Sequence, residues 1–103
     1  MTQRILQEIK SGLQSLYGER FARLALFGSQ ARGDAEAGSD IDVLVVLKGE
    51  VSPCEEIART IGVVAKISLE YDETVSCVFV SENEFETKGS PLLLNVRREA
   101  VFV

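Results

Sequence analysis

Asp40 and Asp42 stand at the head of an apolar run, Ile41 to Leu47, with one residue between them. That run is rich in valine and leucine and reads as a buried strand. Residues two apart on a strand project from the same face. The two carboxylates therefore point the same way, and Ile41 points to the other. Side by side they repel, and leaving them unpaired in a buried place is costly. A divalent cation resolves that conflict. A carboxylate pair suits Mg²⁺, which keeps several waters and takes its remaining ligands from substrate phosphates. A second apolar run, Leu24 to Phe27, stops at Gly28-Ser29. Glycine allows a tight turn and close approach of the backbone to a ligand. Ser29 can cap a short helix through Gln30, Ala31 and Arg32, and a helix start is an anion site. One end of the stretch can hold phosphate, and the other the metal that phosphate shares.

Each piece alone is weak, because a Gly-Ser after a strand is usually a turn and a D-x-D at a strand edge is usually solvated. Arg32 is either a surface cation or a contact to a triphosphate or the acidic loop. Together, the pattern G-S-x-A-R-G, a short linker and S-D-I-D-V-L-V resembles the signature of nucleotidyltransferases of the DNA polymerase β superfamily. The residues that carry it are Gly28, Ser29, Ala31, Arg32, Gly33, Ser39, Asp40, Ile41 and Asp42. The chain is most similar to the minimal nucleotidyltransferases, short prokaryotic proteins often partnered by a small helical HEPN-domain protein. The resemblance implies Mg²⁺ ions on Asp40 and Asp42, which would be the catalytic ligands. It places Gly28, Ser29, Arg32 and Ser39 on a nucleoside triphosphate such as ATP. It further implies transfer of a nucleotidyl group, AMP for instance, to a protein hydroxyl, and the antitoxin role in a toxin–antitoxin pair.

The superfamily site is completed by a third carboxylate on a neighbouring strand. The strand expected there, Thr74 to Val80, contains no acid, and Ser76 occupies the natural position. Glu70, Asp72 and Glu73 precede that strand and are either substitutes or ordinary surface acids. A degenerate module that binds a partner, or a nucleotide sensor, is the alternative to an active transferase.

The elements that must position these groups follow from periodicity. Residues 2 to 17 read as an amphipathic helix with Ile5, Ile9, Leu13 and Leu16 on one face. Arg20 to Leu26 reads as a strand and 40 to 47 as the next. Ser52, Pro53 and Glu55 form a capping-box pattern for a helix that reaches Leu69 or Tyr71. Ile57, Ile61, Val64 and Leu69 are its expected core face. Glu82 to Phe85 reads as a loop or single turn, Ser90-Pro91 as the start of a last helix through Arg98, and Ala100 to Val103 as a terminal strand. Only a short stretch separates the first two strands, too short for the usual crossover helix, so they should be antiparallel neighbours. The fold class is α/β (α+β), a mixed three- to four-stranded sheet with helices packed on it.

The 103 residues, 46% of them hydrophobic, make one domain the default. A net charge of −5 argues against a duplex nucleic-acid module. It leaves room for a triphosphate neutralised by metal, or for a basic protein partner. Phe102 and Val103 leave self-association open. No apolar stretch is long enough to span a bilayer and no signal-peptide core is visible, so a cytoplasmic location is expected. With Cys54 and Cys77 the only cysteines and no histidine, chemistry must rest on carboxylates and metal.

Overall fold

The computed structural model describes residues 2–28, 31, 40–87, 94, 96 and 98–103. Helix α1 is Thr2–Tyr17, followed by a 3-10 turn at Gly18–Arg20 and strand β1, Phe21–Phe27. Strand β2 is Ile41–Leu47, helix α2 is Pro53–Tyr71 and strand β3 is Val75–Ser81. Helix α3, Glu82–Thr87, and strand β4, Val101–Phe102, complete these elements. Four strands form one sheet in the order β3-β2-β1-β4. β1 runs antiparallel to β2, as the short intervening stretch requires. β3 runs parallel to β2, and α2 is the crossover between them. β4 pairs antiparallel with the far side of β1. The expected mixed sheet is therefore present, with four strands.

Alternation along the strands divides the core into two layers. Leu24, Leu26, Ile41, Val43, Val45, Leu47 and Phe79 meet Ile5, Ile9 and Leu13 of α1 and Ile67 of α2. On the opposite face Ala25, Leu44, Val46 and Val80 meet Phe85 and Val96. Asp42 lies between Ile41 and Val43 and so belongs to this second face. The two helices on the first face approach closely at Gly12, where a Cβ would come within 2.7 Å of Val63.

Several boundaries and faces differ from the sequence reading. Arg20 ends the 3-10 turn instead of opening β1, and its guanidinium donates to the carbonyls of Lys48 and Glu50. Leu16 is exposed and Tyr17 takes the buried place in α1. Ser52 is the N-cap of α2 and Pro53 its first residue, but the Ser52 side chain makes no capping hydrogen bond. The largest correction concerns the face of α2. Glu56, Thr60 and Ile67 are buried, whereas Ile57, Ile61 and Leu69 are exposed. Glu56 can be buried because its carboxylate is satisfied. The Tyr17 hydroxyl and Arg59 Nη1 both donate to its Oε1, each at 2.8 Å. Tyr71, at the other end of α2, donates its hydroxyl to Glu8 of α1.

Glu82–Thr87 is a short helix where a loop or single turn was expected. Ser81 starts it, its Oγ accepting the backbone N–H of Glu84 at 3.0 Å. Leu94, Val96 and Arg98 are helical, within the expected last helix, and Glu99 is helical one residue beyond its expected end, while the expected cap at Ser90-Pro91 lies outside the described residues. Among the described residues no helix is long and apolar enough to cross a membrane.

Candidate functional site

The site lies where β1 ends and β2 begins. Phe27, the last residue of β1, is the cross-strand partner of Asp42. Gly28 follows at once with a positive φ of 77°, the left-handed conformation that side chains with a Cβ resist. A Cβ on Gly28 would stand 2.6 Å from Oδ2 of Asp42. The missing side chain is therefore what lets the turn lie against the carboxylate. The first two parts of the sequence pattern, the glycine corner and the second aspartate, are brought together by the antiparallel register of two strands.

Asp40 is exposed and precedes β2, and Asp42 is half-buried within it. Burial, and then the charge of Asp40, push the Asp42 carboxyl above the ordinary carboxylate range. The mutual repulsion expected from the D-x-D spacing is thus present, and on Asp42 burial adds to it. A raised carboxyl at Asp42, a second carboxylate at Asp40 and a glycine keeping the space beside Asp42 clear are a donor set that fits a hard divalent cation.

The parallel register of β2 and β3 places Ser76 beside Asp42. Paired residues on neighbouring strands share a face, so the exposed Ser76 stands on the acids' side of the sheet. It offers a hydroxyl where a third carboxylate would complete the set. The three acids ahead of β3 do not supply it. Glu70 and Asp72 are exposed, and Asp72 takes a left-handed conformation that closes α2, its N–H donating to the carbonyl of Ser68. The Glu73 N–H donates to the same carbonyl. Among the described residues no group of three metal-binding side chains is assembled. Ser29, Arg32 and Ser39, the remaining expected nucleotide contacts, lie outside the described residues. Ala31 is helical, where the short helix after the glycine corner was expected.

Gly28→Val is expected to damage fold and site together. A β-branched residue at positive φ costs about 1–2 kcal/mol, and the clash with Asp42 adds to it. Urea denaturation should show the loss, with Gly28→Ala intermediate. Unchanged stability in both variants would mean that the turn can relax away from Asp42.

Known proteins resemble this chain in sequence and in fold. A protein of Methanocaldococcus jannaschii that carries the assigned name protein adenylyltransferase is 36% identical over 72 residues, 70% of this chain and 72% of its own. A second protein of that organism with the same assigned name is 34% identical over 86 residues, covering 84% of this chain and 80% of its own. A crystal structure described as a toxin–antitoxin with AMP-PNP superposes with a TM-score of 0.68 at 19% identity, over 93% of this chain and 69% of that one. That similarity shows the fold. The family described as nucleotidyltransferase domain matches residues 6–97, and the chain belongs to that family.

Proposed function

We propose that this chain transfers AMP from ATP, or another nucleotidyl group from its triphosphate, to a hydroxyl of a partner protein: the hydroxyl oxygen bonds to the α-phosphorus, the bond to the β-phosphate breaks, pyrophosphate leaves and the hydroxyl proton passes to solvent. The observation that carries the proposal is the Asp42 carboxylate, crowded by Asp40 and faced by the side-chain-free corner at Gly28. Asp40 and Asp42 would hold Mg²⁺. Bound there, the ion would neutralise triphosphate oxygens and the charge that develops at the phosphorus under attack. Gly28 keeps the approach to Asp42 open, and Ser29, Arg32 and Ser39 are assigned to the phosphates by the sequence pattern. Two relatives named as protein adenylyltransferases support a protein as acceptor. The toxin–antitoxin with AMP-PNP, an ATP analogue, supports an adenine nucleotide and a partner protein. On this reading the chain is the antitoxin that modifies a HEPN-type toxin.

The test is incubation with labelled ATP, Mg²⁺ and the partner. Label should appear on the partner and be lost with Asp42→Asn. Label that persists in that variant would place the chemistry elsewhere.

Ser76 favours a second reading, a module that covers its partner without modifying it. Ser76 carries no carboxylate to take the acceptor's proton or to help hold a cation beside Asp42. Ser76→Asp separates the two readings. A positioned general base contributes about 10²–10⁴-fold, so the active enzyme should gain on the order of 10²-fold in transfer rate. No transfer by either form, with partner binding intact, would establish the covering module.

A further inference from the structure

Helix α2 shows solvent an arc without charge. Glu55, Arg59, Lys66 and Glu70 recur at helical spacing on one stripe, and Glu56, Thr60 and Ile67 are buried. Ile57 and Ile61 lie outside both and are 51% and 64% exposed. A surface helix ordinarily places polar residues there. The arc adjoins β3, the edge strand of the sheet. Ile57, Ile61 and Val64 form one wall of a groove of about 250 Å³, and Val75, Cys77 and Phe79 the other. The sequence of β3, VSCVFVS, holds no charge and no proline, the usual devices that keep a strand edge from pairing. Ser76 lines the same groove and is the register partner of Asp42, so the groove runs along the acids' site.

Charge and the direction of attack select the occupant. Asp72 and Glu73 stand just before β3, and Glu82 and Glu84 just after it, while the strand between them is neutral. A second copy laid antiparallel would set these acids against their like. An extended segment with apolar residues in its middle and lysine or arginine at both ends meets them with opposite charge. In the proposed transfer the phosphates lie on the β1 side of Asp42, at the Gly28 corner. Displacement at phosphorus is in line, so the attacking hydroxyl arrives opposite the leaving pyrophosphate. That is the β3 side.

We propose that the partner protein presents its acceptor hydroxyl on an extended segment that adds to the edge of β3 and packs on Ile57 and Ile61. Strand addition draws affinity from main-chain hydrogen bonds and specificity from alternate side chains. Alternate residues of the segment enter the groove, and the others share the face of Ser76 and Asp42. The added strand runs two strand spacings, about 10 Å, from β2. A hydroxyl-bearing side chain and the α-phosphate together span that gap. This docking site rests on the transfer reading, which supplies the direction of attack, but the segment binds without nucleotide.

Fluorescence anisotropy of labelled peptides the length of β3, added to the full chain without ATP or Mg²⁺, tests it. One probe alternates valine and threonine between terminal lysines. A second carries glutamates at both ends, and a third keeps the lysines but has a central proline. The lysine-ended probe should bind at least tenfold more tightly than either of the others. Ile61→Lys and, separately, Ile57→Lys should weaken it at least tenfold with an unchanged far-ultraviolet dichroism spectrum, since both side chains are exposed. Val101→Lys, on the opposite edge strand β4, and Asp42→Asn should leave it intact. Such binding without any transfer to the partner would keep the docking surface and refute the chemistry. Equal binding of the three probes, or none by the first, would overturn the docking surface even where transfer proceeds. So would a dimer in sedimentation velocity that Ile61→Lys abolishes, since the groove would then hold a second copy.

Discussion

Replacing Asp42 by asparagine is expected to stabilise the metal-free protein while removing the proposed cation site. Burial and the Asp40 charge hold the Asp42 carboxyl above its ordinary range. Relative to the unfolded chain, the folded state therefore favours the protonated form. For an acid raised on folding, the stabilising contribution is present below the unfolded pKa and lost as pH rises through the folded one. At neutral pH the wild type has lost it, and asparagine, which stays neutral, has not. In EDTA, Asp42→Asn should melt above the wild type at pH 7, and the gap should close as pH falls toward about 4, the ordinary aspartate value. Mg²⁺ should raise the wild-type Tm and leave the variant unchanged, because only the wild type binds it. Transfer should fall at least about 10²-fold, since metal-centred charge stabilisation supplies several kcal/mol. An Asp42→Asn protein that is less stable than wild type in EDTA would make the carboxylate structural.

The second large effect is on stability. Glu56 is 2% exposed and accepts from Tyr17 and Arg59, with Arg20 at 4.0 Å from its other oxygen. It ties the end of α1 to the start of α2. Glu56→Ala leaves two arginines that already reach solvent, and their lost pairing adds little. The buried Tyr17 hydroxyl is the greater cost, together with the cavity left by the side chain. The sum is about 2–4 kcal/mol, a large part of the roughly 5–15 kcal/mol that holds a domain together. Tm should fall on the order of 10 °C or more.

A spectroscopic signature accompanies the loss of stability. Burial, then the hydrogen bond and charge of Glu56, push the Tyr17 phenol up to about 12. Without Glu56 it should titrate nearer the ordinary tyrosine value, about 10. The linkage sign is that of a raised acid. Tyr17 contributes fully below pH about 10, and that contribution is lost as pH climbs through its folded value. Tyr17→Phe, which keeps the Glu56–Arg59 pair, should cost less, about 1 kcal/mol. Equal losses in the two variants would mean that the arginines, not the tyrosine, make Glu56 matter.

The features that sequence made legible are those set by near neighbours in the chain. The short link between Leu26 and Ile41 dictates antiparallel strands, and the alternation of Ile41, Asp42 and Val43 dictates which way Asp42 faces. The position of Ser76 is also visible, because β2, α2 and β3 form one crossover unit with one register. The face of α2 was hidden for the opposite reason. Glu56 is buried only because Tyr17, 39 residues earlier, supplies its hydrogen bond. Hydrophobicity alone assigns Glu56 to solvent and Ile57 to the core, and both assignments fail. The same limit applies to α3, where the Ser81 side chain caps a helix that the acidic sequence ENEFET does not announce.

The paired acids are tested most directly by calorimetric titration of ATP into the wild-type chain and into the Asp40→Asn/Asp42→Asn double variant, each with Mg²⁺ and with EDTA. Binding should appear only in the wild type with Mg²⁺ present. Equal affinity in the double variant, or undiminished affinity in EDTA, would show that ATP is held without a cation on Asp40 and Asp42.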